Sequence, residues 1–142
     1  MEPEIDKTGM EQLAAVYGLL GKLWVEEVDL PTLRALASLP LKDVWISLGG
    51  SVPEDPQEET VETLAVDYCQ LFIGPSQPVS PVQSVWLENR FEGTAAVSMQ
   101  SFFELLPDYE PPESIADHIG NQFDYLAELF ARAAGDANPS GY

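Results

Sequence analysis

Residues 55–75 read Asp55-Pro56-Gln57-Glu58-Glu59-Thr60-Val61-Glu62-Thr63-Leu64-Ala65-Val66-Asp67-Tyr68-Cys69-Gln70-Leu71-Phe72-Ile73-Gly74-Pro75. Asp55 as cap, Pro56 at the first helical position and Glu58 at the third form a helix-start signal. Val61, Leu64, Ala65, Tyr68, Leu71 and Phe72 then recur at three- and four-residue steps, which gives the segment one apolar stripe. Gly74-Pro75 stops it.

The same grammar repeats outward. Upstream, residues 1–7 read as a flexible tail, and Thr8 with Glu11 as a capping box. Met10, Leu13, Ala14, Tyr17, Leu20 and Trp24 follow as a stripe. Gly18 and Gly21 within that helix cost propensity unless a second helix approaches closely there. Asp29 caps a short helix with Leu33, Leu36 and Ala37 inward; residues 39–48 read as another short helix ended by Gly49-Gly50, although Val44-Trp45-Ile46 would also suit a strand.

Downstream, helical character returns over residues 85–92 and over Thr94–Leu106, where Pro107 intervenes. A last long helix is expected from Ser114, with Asp117 at its third position and Gly135 at its end. Its apolar face is Ile115, Ile119, Phe123, Leu126, Phe130 and Ala133. No set of alternating strands stands against these helices. The fold class is all-α, a single-domain helical bundle over 8–134 with a tail at 135–142.

Composition narrows the function classes. The 142 residues carry 24 acids against six Lys and Arg, a formal charge of −18, which repels a phosphate backbone or an anionic membrane and attracts basic peptides. The bias peaks over residues 47–70, with six acids and no base, although a lysine-poor acidic surface is also a high-salt adaptation. One histidine, His118, and one cysteine, Cys69, leave no disulfide and no His- or Cys-rich metal site within the chain. No apolar run is long enough to span a bilayer and the acidic start lacks secretory order, so a cytoplasmic address is expected.

Catalytic motifs are scarce. Asp117 and His118 are adjacent, so on a helix they point about 100° apart rather than at each other. There is no G-x-S-x-G elbow, P-loop or H-E-x-x-H pattern. Glu58 with Glu62, or Asp117 with Asn121, would need further convergent ligands to hold a metal, and Cys69 reads as a packing residue. The informative segment is Gly74–Ser84, GPSQPVSPVQS, which cannot propagate a helix and lies between Tyr68, Leu71 and Phe72 on one side and Trp86 on the other.

These residues carry a resemblance. Tyr68-Cys-Gln-Leu71-Phe72-Ile-Gly74-Pro75, followed by Ser80-Pro81-Val82-Gln83-Ser84-Val85-Trp86, resembles the TorD/DmsD/NarJ family of molybdoenzyme maturation chaperones, with its YxxLFxGP and PPWxSVY-like stretches. Asp117-His118-Ile119-Gly120 is similar to that family's EPxDHxG region. The chain departs at Trp86, where the family has Tyr, at Val82, where it has Trp, and at Ser114-Ile115, where it has Glu-Pro.

The resemblance implies an all-helical cytoplasmic chaperone with neither enzymatic activity nor cofactor. Its partner would be a molybdopterin-containing oxidoreductase precursor, held through a twin-arginine signal peptide or N-terminal region. Carried over residue by residue, Tyr68, Phe72, Trp86, Asp117 and His118 are the candidates for client-peptide binding, with Asp117 as the charged contact. Gly74, Pro75, Pro81 and Ser84 would shape the connection. The chain is short for the family, so C-terminal helices are expected to be lacking or exchanged in a homodimer. A generic acidic helical interaction module and a small carboxylate-dependent metal hydrolase are the alternatives.

Overall fold

The computed structural model describes residues 6–136, and the remaining parts of the two expected tails lie outside them. Seven α-helices follow in order: α1 (Lys7–Val25), α2 (Leu30–Leu36), α3 (Leu41–Ser47), α4 (Glu58–Tyr68), α5 (Gln83–Glu88), α6 (Thr94–Glu104) and α7 (Ile119–Asp136). A π-helical turn, Cys69–Ile73, extends α4. Among the described residues there is no strand, only an isolated antiparallel bridge between Val82 and His118. The protein is all-α.

The chain divides into two compact units: Glu26–Val79, and the chain up to Val25 together with Ser80 onward. In the second of these, α1 and α7 run antiparallel. Tyr17 stacks between Phe123 and Phe130, with ring centroids 6.0 and 5.6 Å apart. Gly21 explains how close the helices come. A Cβ there would lie 3.2 Å from both the Asp124 nitrogen and the Gly120 oxygen, main-chain atoms that cannot swing aside. Gly21→Val should therefore destabilise the protein by about 2–3 kcal/mol through overpacking, measurable by urea unfolding. A loss below 1 kcal/mol would contradict this packing.

A ring cluster fixes α6 and the following loop to the same helix. Tyr125 lies 5.6 Å from Phe103 and 5.2 Å from Tyr109 between ring centroids, and its hydroxyl donates to the Phe102 carbonyl at 2.7 Å. Arg132 adds pairs to Asp108 and Glu128 at 2.9 and 2.7 Å.

In the Glu26–Val79 unit, Asp29 caps α2 as expected, accepting from the Thr32 N–H at 2.8 Å, and Leu33 and Leu36 are buried. Gly49, at φ +87°, closes α3. Its N–H donates to Ile46 and that of Gly50 to Trp45, a Schellman pairing that satisfies two end carbonyls.

Several boundaries differ from the sequence expectation. The α1 cap is Asp6, whose carboxylate accepts from Gly9 at 3.1 Å, so Thr8 lies inside the helix. At α4 the cap moves from Asp55 to Gln57, whose N–H donates to Thr60 Oγ1 at 3.3 Å. In the α4 stripe Leu64 and Leu71 are exposed, and so is Cys69, whose Sγ lies 3.7 Å from Glu27 Oε1. Residues 89–92 are not helical, because Asn89 turns left-handed at φ 53° and ends α5. Finally, α7 continues through Gly135 to Asp136 and begins at Ile119 rather than Ser114.

Candidate functional site

The late start of α7 has a local cause. Asn121, fully buried in the first turn, donates from Nδ2 to the carbonyls of Glu113 and Ile115, both at 2.9 Å. Its Oδ1 accepts from the Glu113 N–H at 2.8 Å. These bonds hold residues 113–116 as a compact turn instead of a helix. From sequence Asn121 stood only beside Asp117 as an incomplete metal-ligand pair; the signal it offered was an amide among charged residues.

Asp117 and His118 close that turn and point apart. His118 is buried, and its Nδ1 accepts from the Gly120 N–H at 3.0 Å, satisfying one of the orphan donors at the start of α7. An acceptor Nδ1 requires a neutral ring with its proton on Nε2. Burial lowers the His118 pKa below its ordinary value, while the nearby carboxylates of Glu113 and Asp117 oppose the shift.

The pH consequence has a definite sign. Above the ordinary histidine value, about 6.5, both folded and unfolded rings are neutral and the full contribution is present. As pH falls below it, the unfolded chain takes the proton first, so stability is lost, by at most about 1.4 kcal/mol per pH unit. Thermal melts from pH 7.5 to 5.5 should show a fall that His118→Gln flattens. Parallel pH profiles for the two proteins would refute this role.

Asp117 is sealed, with 0% exposure. Its Oδ2 accepts from the Ser84 N–H at 2.6 Å and its main-chain carbonyl from Gln83 at 3.2 Å. Ile119 donates back to the Pro81 carbonyl at 2.8 Å, so segment 81–84 is stitched to the 117–119 corner. Ser84, also fully buried, accepts at Oγ from the Gly93 N–H at 3.0 Å, which fixes the start of α6. Gly120 permits this junction, because a Cβ there would collide with Val25 of α1.

Above this frame stands Trp86. Its side of α5 is open, with 70% of the residue exposed, yet its indole N–H donates to the Ser80 carbonyl at 2.8 Å. Leu87 and Phe91 beside it in sequence are also exposed. An indole that is both exposed and tethered presents a large apolar face with little rotamer freedom left to lose. An apolar recess of about 230 Å³ in the same unit is lined by Met99, Phe102, Gln122, Tyr125, Leu126 and Leu129.

Tyr68 and Phe72 belong to the other unit. Both are half-buried, with rings 5.0 Å apart and tilted by 58°, at the junction of α4 with the π turn. The Gly74 N–H donates to the Cys69 carbonyl across five residues at 2.6 Å. A Cβ at Gly74 would lie 3.2 Å from the carbonyl oxygens of Cys69 and Gln70, so glycine supplies room rather than an unusual φ. Pro75 and the residues after it leave this turn, and Val79 returns a bond to the Leu71 carbonyl at 2.7 Å. The structure thus brings Pro81, Ser84, Trp86, Asp117 and His118 together in one unit, and Tyr68, Phe72, Gly74 and Pro75 in the other.

Among the described residues no group of three or more His, Cys, Asp or Glu side chains could hold a metal ion, and no helix is long and apolar enough to cross a membrane. Comparison with known proteins bears on what this arrangement is. The family model described as nitrate reductase delta subunit matches residues 27–140. The chain belongs to the nitrate reductase delta subunit family.

Proteins similar to it include two named Chaperone protein TorD. The one from Shewanella sp. (strain ANA-3) is 28% identical over 83% of this chain and 63% of its own length. The one from Shewanella loihica (strain ATCC BAA-1088 / PV-4) is 27% identical over 89% of this chain and 72% of its own length. This member of the delta subunit family therefore spans less than two thirds of the first of those relatives. No solved structure matches it.

Proposed function

We propose that this chain is a cytoplasmic chaperone for a molybdopterin-containing oxidoreductase, binding the precursor through its signal peptide or N-terminal region. It assists folding and cofactor insertion and, for an exported client, delays export until both are complete. It has no catalytic role of its own. Family membership and the TorD names of its relatives support the general role. The single observation that carries peptide binding is Trp86, an exposed aromatic face held in place by the Ser80 carbonyl.

The chemistry of the client follows from the surface. An apolar segment of the peptide lies on Trp86 and uses the recess between α6 and α7. Arginines of the peptide meet carboxylates of the strongly acidic surface, and guanidinium forks suit carboxylates better than ammonium groups do. Asp117 and His118 serve this surface from beneath.

The test is mild crosslinking in the native host followed by purification and identification of the partner. Recovery of a molybdopterin-containing oxidoreductase precursor, crosslinked through its N-terminal region, is the expected result. Recovery only of unrelated basic proteins would favour a generic acidic interaction module instead.

A further inference from the structure

We infer that Asp117 is a positioning residue: it caps α5 from across the chain and so aims Trp86, without touching the peptide. The inference rests on the peptide-binding reading above. A six-residue helix such as α5 needs its first N–H groups satisfied, and Val82, at its cap position, has no side-chain acceptor. Residue 117 replaces that cap twice over. Its carbonyl takes the Gln83 N–H and its Oδ2 takes the Ser84 N–H, the first two donors of α5.

Trp86 lies two residues beyond Ser84. The tether from its indole to Ser80 closes only if the first turn of α5 keeps its direction, and that direction is set by the 83–117 and 84–117 bonds together with the Ser84–Gly93 bond. The carboxylate shows solvent nothing. Oδ2 is spent on Ser84, and Oδ1 is buried without a hydrogen-bond partner, so an incoming guanidinium would have to break the cap to reach either.

Asp117→Asn and Asp117→Ala separate the two roles. The asparagine carbonyl can still accept from Ser84 but carries no charge; alanine removes the acceptor. The probe is a synthetic peptide with paired arginines followed by an apolar run, titrated onto the full chain at low and high salt. A second readout is indole emission in a Trp24→Phe, Trp45→Phe background, where only Trp86 reports.

For a positioning residue, Asp117→Asn retains affinity within about threefold and the wild-type salt dependence, while Asp117→Ala loses tenfold or more. Trp86 emission in the peptide-free protein changes with alanine and not with asparagine. Loss of tenfold or more with Asp117→Asn, together with a shallower salt dependence, would show direct charge contact and overturn the inference. So would unchanged Trp86 emission in a folded Asp117→Ala protein. Should alanine prevent folding, the asparagine titration alone decides. Failure of the wild-type chain to bind the peptide would count against the peptide-binding reading, and the emission comparison would still judge the cap.

Discussion

Asn121→Leu should lower stability by about 3 kcal/mol, equivalent to about 10 °C in Tm for a chain of this size. Leucine has similar volume, so the loss comes from polar groups left without partners rather than from a cavity. The Glu113 N–H and the Glu113 and Ile115 carbonyls would each lose a bond of 2.8–2.9 Å in a partly buried turn. Because the same turn carries Asp117 and His118, the variant should also loosen segment 81–84. Chemical denaturation measures the stability term, and amide exchange at Gln83 and Ser84 measures the local one. A loss below 1 kcal/mol with unchanged exchange would show that the turn holds itself without Asn121.

The second large effect separates binding from folding. Trp86→Ala should weaken binding of the arginine-containing apolar peptide by about tenfold to a hundredfold, the range of an aromatic anchor. With 70% of the residue exposed, the same change should leave thermal stability within about 1 kcal/mol. Trp86→Phe keeps an aromatic face but loses the N–H that bonds to Ser80, so it should fall between the two. Titration calorimetry alongside thermal melts reads both quantities. Equal affinity of wild type and Trp86→Ala would place the peptide elsewhere.

The helices were legible because their causes are local. Asp29 before Leu30-Pro31 and the Gly49-Gly50 stop depend on side chains within a turn of each other, and each appears where the sequence puts it, whereas in the stripe of α1 Leu13 stays exposed. Gly21 was legible in part, since a glycine in mid-helix signals a close neighbour, and the neighbour proves to be the α7 backbone. The start of α7 was not. Ser114 has local cap chemistry, but Asn121 captures the preceding turn and Asp117 spends its carboxylate on Ser84, 33 positions away.

The candidate site divides in the same manner. The resemblance picked out Asp117 and Ser84 separately, as charged contact and loop-shaping residue, while their bond to each other is a tertiary fact that neither motif contains. Exposure was similarly hidden. Trp86 looks like a core residue by composition, and only the fold shows it standing outward with its N–H bound. Leu64 and Leu71 fit an apolar stripe yet remain open, since periodicity reports a face and not what covers it.

The central claim is tested most directly by titrating three peptides that differ only at the paired basic positions, Arg-Arg, Lys-Lys and Gln-Gln, ahead of the same apolar run. The series is run across salt concentrations at which the helical spectrum stays constant. A chaperone that recognises arginine beside an apolar segment predicts the affinity order Arg-Arg, Lys-Lys, Gln-Gln, with added salt narrowing the gap to the neutral peptide. Equal affinity for all three throughout that range would contradict it.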